Sequence, residues 1–123
     1  MKNRPRFLDL SKIVLPYPGV VSILHRISAV GMVFSWPFLM PIIGHSIHHD
    51  KYHNYLAIAF SLPGRLFLWL ISCAFLYHIC SGLRHLYDDF MRGQSLYWSR
   101  FTAKLTLVVA GILCMISFYK IIL

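Results

Sequence analysis

At 123 residues, 58% hydrophobic and only 13% charged, the chain has too little charged surface to coat a water-soluble domain. It contains no glutamate, its aspartates are only Asp9, Asp50, Asp88 and Asp89, and it shows no nucleophile–base pair or phosphate loop, which excludes a soluble-type enzyme. The net charge of +8 is dispersed beside apolar runs, a pattern that reports membrane topology and argues against nucleic-acid binding.

In chain order, residues 1–19 start with Lys2, Arg4 and Arg6 and no apolar run close behind, so neither a cleavable signal nor a transit peptide is expected. They end in Leu15-Pro16-Tyr17-Pro18-Gly19, which predicts an irregular or re-entrant lead into a first helix near Val20. Residues 27–49 carry no Lys, Arg, Asp or Glu and supply the first span, which Pro37 and Pro41 should kink or end early. The outer connection, 44–64, contains a predicted short interfacial helix at 52–60 before Ser61-Leu62-Pro63-Gly64. Residues 66–83 are the second span. Residues 84–104, with Tyr87, Tyr97 and Trp98, read as an inner connection at headgroup level. Residues 105–119 are the third span, extended by Ile121, Ile122 and Leu123 while Lys120 snorkels.

The fold class is thus an all-α membrane protein with three transmembrane helices, at about 20–46, 64–86 and 103–123, in a single domain of residues 1–123. Lys2, Arg4, Arg6, Lys12 and Arg26 precede or open the first helix, and Arg84, Arg92, Arg100 and Lys104 lie between the second and third. Only Lys51, Arg65 and Lys120 fall on the other side, so the N-terminus is expected in the cytoplasm and the C-terminus outside. Cys73, Cys80 and Cys114 lie in apolar helical sequence without a Cys-x-x-Cys pair and read as buried, inert thiols. His45, His48, His49 and His53 have spacings that one helix face could gather around a metal, yet only Asp50 accompanies them, and solvated loop histidines are the favoured reading.

One polar ring stands in apolar sequence: His78. An imidazole in hydrocarbon is costly unless paired or ligated, which makes it a candidate functional residue. Helical spacing gives it a face with Ile71, Ala74 and Phe75 on one side and Ser81, Gly82 and His85 on the other. The small members of that set suit either helix packing or the approach of a bulky planar group. His78 lies about 9 Å below Arg84 at ~1.5 Å per residue, so the propionates of a haem ligated there would come within reach of His25, Arg26, Arg84 and His85. Arg84 equally fits an ordinary snorkelling residue. Ser22 precedes Arg26 by one helical turn; a hydroxyl beside a fixed cation suits a quinone carbonyl, and the same serine also fits an N-cap.

Ser22-Ile23-Leu24-His25-Arg26-Ile27-Ser28, with Arg4-Pro5 upstream, and His78-x-x-x-Gly82-Leu83-Arg84-His85-Leu86 ending in Asp89 together resemble the two signatures of the cytochrome b subunit of succinate dehydrogenase. The order of the motifs, the three spans and the length agree as well. Asp88 departs from the aromatic or methionine common in that family, and Arg6 replaces an often apolar residue. The resemblance implies half of a heterodimeric haem-binding helix bundle: a second small anchor subunit, an iron–sulfur subunit and a flavoprotein subunit as partners, haem b between the anchors, and part of a ubiquinone site. FAD and the iron–sulfur clusters would reside in the partners, and this chain would have no independent activity. By motif, His78 would be an axial haem ligand, Ser22 and Arg26 would line the quinone site, and His25, Arg26 and His85 would neutralise propionates. A low-spin b haem needs two axial ligands and His78 is the only histidine well inside a predicted span, so the second ligand should come from another subunit. The expected location is a bacterial inner membrane, or a mitochondrial one for an organelle-encoded chain. The alternatives are a haem-free or fumarate-reductase-type quinone anchor and, further off, a small transporter using His78 as a proton relay.

Overall fold

The structure, a computed structural model, describes residues 15–45, 47, 53–91 and 95–123. The basic residues Lys2, Arg4, Arg6, Lys12, Lys51 and Arg92, and the histidines His48 and His49, lie outside the described residues, as does the side chain of His53. The described residues form four helices: α1 (Tyr17–His45), α2 (His53–Phe60), α3 (Leu62–Phe90) and α4 (Leu96–Ile122). Three of them, α1, α3 and α4, are long and apolar enough to cross a membrane.

The helix α1 begins at Tyr17, so the proline-rich segment is not the irregular lead that its composition predicts. The carbonyl of Pro16 accepts from the amides of Gly19 and Val20, at 2.9 and 3.2 Å, and closes the first turn. Pro18 sits within that turn, where an N–H would have no intrahelical acceptor and a fixed φ favours the helix. Pro37 and Pro41 lie inside α1 without ending it, and the helix runs on to His45. In hydrocarbon the surviving backbone hydrogen bonds have no water to exchange with, which favours continuing through each missing donor.

The helices α2 and α3 meet at Ser61, whose amide bonds to the carbonyl of Ala57 at 3.1 Å and whose hydroxyl accepts from Gly64 N at 3.4 Å as an N-cap. A side chain at Gly64 would collide with the carbonyls of Ile58 and Ala59, so this tight turn requires glycine. The helix α4 starts at Leu96, earlier than the expected 103, with the Ser95 hydroxyl accepting from Trp98 N. Its first two turns are too polar to read as part of a span, but they are capped by Ser95 and packed on α3.

Side-chain ties fix the arrangement. Tyr77 donates to the carbonyl of Val21 at 2.9 Å, Trp69 Nε1 donates to the carbonyl of Cys114 at 3.1 Å, and Ser72 meets Ser117 at 2.8 Å. His25 meets Ser81 while Ser28 meets His78, and Ser72 meets Ser117 while Arg84 meets Ser99, so α3 runs antiparallel to both α1 and α4, with α1 and α4 parallel. Where the starts of α1 and α4 lie together, Lys104 Nζ is 4.8 Å from the centre of the Tyr17 ring. The buried seam consists of small or hydroxylated residues: Val21, Ser28 and Ser35 at seven-residue intervals on α1, Ser81 on α3, and Ala103, Thr106 and Ala110 on α4. Small seams let helices approach where lipid offers no hydrophobic drive. Bulky side chains such as Val33 and Phe34, each 73% exposed, point outward. The three cysteines are free and only half-buried.

Candidate functional site

The N-terminal half of α1 and the C-terminal half of α3 bring three imidazoles together. His25 is stacked on His78 with ring centres 3.9 Å apart and planes 14° from parallel, and His85 meets His25 edge-on at 5.2 Å. Because α1 begins at Tyr17, His25 stands well inside the helix and at the depth of His78, not at the helix start. That corrects the reading of His78 as the only histidine well within a span. The stacked geometry nonetheless turns the ring faces, not the nitrogen lone pairs, toward each other, so the pair is not arranged as two ligands on opposite sides of one metal.

Two serines tie the pair across the helix interface. Ser28 Oγ on α1 lies 3.1 Å from His78 Nδ1, and Ser81 Oγ on α3 lies 2.5 Å from His25 Nδ1. Each serine hydroxyl also lies within reach of the carbonyl three residues before it: Ser28 at 2.7 Å from His25 O and Ser81 at 3.3 Å from His78 O. Both are buried. Sequence reasoning places Ser81 only as a small neighbour and gives Ser28 no role. The available signal is a repeat, His25-x-x-Ser28 and His78-x-x-Ser81, at one-turn spacing on the two helices.

The small residues beside His78 divide between the two readings left open. The His25 ring packs at ordinary van der Waals range against the site of a Cβ on Gly82, so the notch at Ser81 and Gly82 serves helix packing. On the other side, Ala74 and Ile71 of α3 with Gly31, Phe34 and Ser35 of α1 border an apolar cavity of about 280 Å³. A Cβ on Gly31 would meet nothing within 4 Å. His78 itself does not border this cavity; Ala74, one helical turn away, does, and the apolar walls there suit a flat group. The ring's Nδ1 is engaged by Ser28, while Nε2 makes no hydrogen bond among the described residues and is available as a donor to metal.

Ser22 lies in the second turn of α1, so it is not the N-cap that its position before Arg26 could have suggested. It is half-buried, and Arg26 one turn later is exposed. Arg84 is not in the imidazole cluster. Its guanidinium turns to α4, where Nε donates to Thr102 Oγ1 at 3.3 Å and Nη2 to the carbonyl and hydroxyl of Ser99 at 3.3 and 3.2 Å. Asp88, the residue that departs from the family pattern, pairs with it at 2.9 Å. With the Arg84 side chain only 5% exposed, removal of its carboxylate strands a charge. Asp88→Ala should therefore cost about 1–3 kcal/mol and lower the melting temperature of the detergent-purified protein more than Asp89→Ala does. Equal losses in the two variants would contradict this role. His45 lies at the far, C-terminal end of α1.

Comparisons with known proteins agree with this architecture. The family model described as "Succinate dehydrogenase/Fumarate reductase transmembrane subunit" matches residues 1–118. The succinate dehydrogenase cytochrome b556 subunit of Rickettsia felis is 32% identical over 115 residues, covering 93% of this chain and 90% of that protein. The protein of the same name from Coxiella burnetii is 29% identical over 112 residues, covering 89% and 90% respectively.

Proposed function

From the premise that this chain belongs to the succinate dehydrogenase/fumarate reductase transmembrane subunit family, we propose that it is the haem b-binding anchor of a succinate:quinone oxidoreductase. The observation that carries the proposal is His78: an imidazole inside a membrane span, with Nδ1 held by Ser28, no hydrogen bond at Nε2 among the described residues, and an apolar cavity that starts one helical turn away at Ala74. His78 Nε2 would be one axial ligand. With His25 stacked face-on against His78, a second ligand to the haem would come from another subunit. When bound, haem b supplies a one-electron store beside the quinone.

The remaining roles belong to side chains at the inner end. His25 and His85, in contact with each other, and Arg26 would face the propionates, His25 offering a ring N–H and the Arg26 guanidinium balancing the charge. Ser22 and Arg26 would hold the quinone: the hydroxyl donates to a carbonyl oxygen, and the guanidinium stabilises the negative charge that develops there as electrons arrive. The arginine stays charged throughout, so the protons taken up must come from other groups or from water. Electrons would come from succinate through a flavoprotein and an iron–sulfur subunit held on the inner face, the side on which the basic residues concentrate. A bacterial inner membrane, with the α1 start cytoplasmic and the α4 end periplasmic, is the location this reading implies.

The test is to purify a tagged version of this chain from its native membrane. Co-purification of flavoprotein and iron–sulfur subunits with a b-type spectrum that succinate reduces is the expected result. A complex with those subunits but no haem would replace this reading with a haem-free quinone anchor.

A further inference from the structure

The His-x-x-Ser pairs are alike in spacing but not in their distances, and the difference assigns protons. Ser28 Oγ is closer to the carbonyl of His25, at 2.7 Å, than to His78 Nδ1, at 3.1 Å. A hydroxyl has one proton to give, and here the shorter contact is to an oxygen that can only accept. Ser28 therefore spends its proton on the carbonyl and must accept from His78, which puts the His78 proton on Nδ1 and leaves a lone pair on Nε2. Ser81 shows the reverse order: 2.5 Å to His25 Nδ1 against 3.3 Å to the carbonyl of His78. Its proton goes to the imidazole, so His25 Nδ1 accepts and the His25 proton sits on Nε2.

We propose that Ser28 and Ser81 hold two stacked imidazoles in opposite tautomers, and that this divides their labour. His78 presents a lone pair suited to a metal, and His25 presents an N–H suited to a carboxylate. Ser28 is then a positioning residue for His78, fixing its ring orientation as well as its tautomer, and Ser81 does the same for His25. Both hydroxyls are buried, Ser28 at 7% and Ser81 at 0% exposure, so water does not compete for either bond. The inference rests on the haem-ligand reading of His78 and adds what makes that ring, and not its neighbour 3.9 Å away, the ligand.

The experiment compares wild type, Ser28→Ala, Ser28→Thr and Ser81→Ala in the purified complex by low-temperature electron paramagnetic resonance and redox titration of the haem. Ser28→Ala removes the acceptor for Nδ1–H, which weakens the ligand as an electron donor and frees its ring. It should move the largest g-value of the low-spin ferric signal, raise the midpoint potential, and lower haem retention by roughly 10–100-fold. Ser28→Thr keeps the hydroxyl and should return the signal toward wild type. Ser81→Ala should leave the largest g-value in place, because it does not touch the ligand ring. If Ser28→Ala assembles poorly, Ser28→Cys keeps a similar volume with a poor acceptor and should move the signal in the same direction. An unchanged g-value and potential in Ser28→Ala, a Thr variant that behaves like Ala, or an equal g-value shift in Ser81→Ala would each overturn the assignment. Absence of haem from the wild-type complex would instead overturn the underlying ligand reading.

Discussion

Replacing His78 with alanine should abolish or strongly weaken the b-type optical signal of the assembled complex while the three spans remain inserted. Within this chain His25 is the neighbouring ring, but it stacks face-on with its Nδ1 committed to Ser81, so it is poorly placed to take over as ligand. Insertion should survive because alanine is less costly in hydrocarbon than imidazole, and because α1, α3 and α4 are joined elsewhere by the Tyr77, Trp69 and Ser72 bonds. The reduced-minus-oxidised spectrum reads the haem, and the abundance of the membrane-embedded chain reads the fold. A wild-type spectrum in the variant would remove His78 from the ligand set.

Arg26→Leu is the second large effect, and it should separate two activities. Quinone reduction should fall by roughly 10–100-fold, the cost of losing a charged hydrogen bond of about 1.5–3 kcal/mol to the developing oxyanion. Succinate oxidation by an artificial acceptor should change little, because that route takes electrons before they reach the membrane. Arg26 is exposed, so its replacement leaves no cavity and no stranded partner. A parallel fall in both rates would show that the substitution damages assembly and not the quinone site.

The three spans and the place of His78 inside one of them are legible because each follows from a one-dimensional property: an apolar run of sufficient length, or a polar ring within one. The α1 start is not, since proline and glycine in Pro16-Tyr17-Pro18-Gly19 signal a break in general yet suit a first helical turn in particular. The start of α4 fails for a related reason. Leu96–Ile122 opens on aromatic and polar residues, and hydropathy alone cannot tell a helical turn at the interface from a loop. Contacts between helices are less legible still. That Ser28 meets His78, or that Arg84 turns toward Ser99 and Thr102 and away from the histidines, depends on the register of one helix against another. Even the Arg84–Asp88 pair, which lies within one helix at one-turn spacing, was hidden by reading residues 84–104 as a connection, since α3 runs on to Phe90.

The narrow seam between the helices has a consequence for how the protein is made. Among the described residues only Val21, Ala103 and Ala110 are buried apolar side chains, so the lone chain has almost no interior to hold it in shape. A surface that docks on it adds stability through mass action, by RT ln(1 + [L]/Kd), and that contribution vanishes when the docking chain is scarce. A copy made in excess of whatever covers it would lack that contribution and rely on the small-residue seam and its cross-helix hydrogen bonds alone.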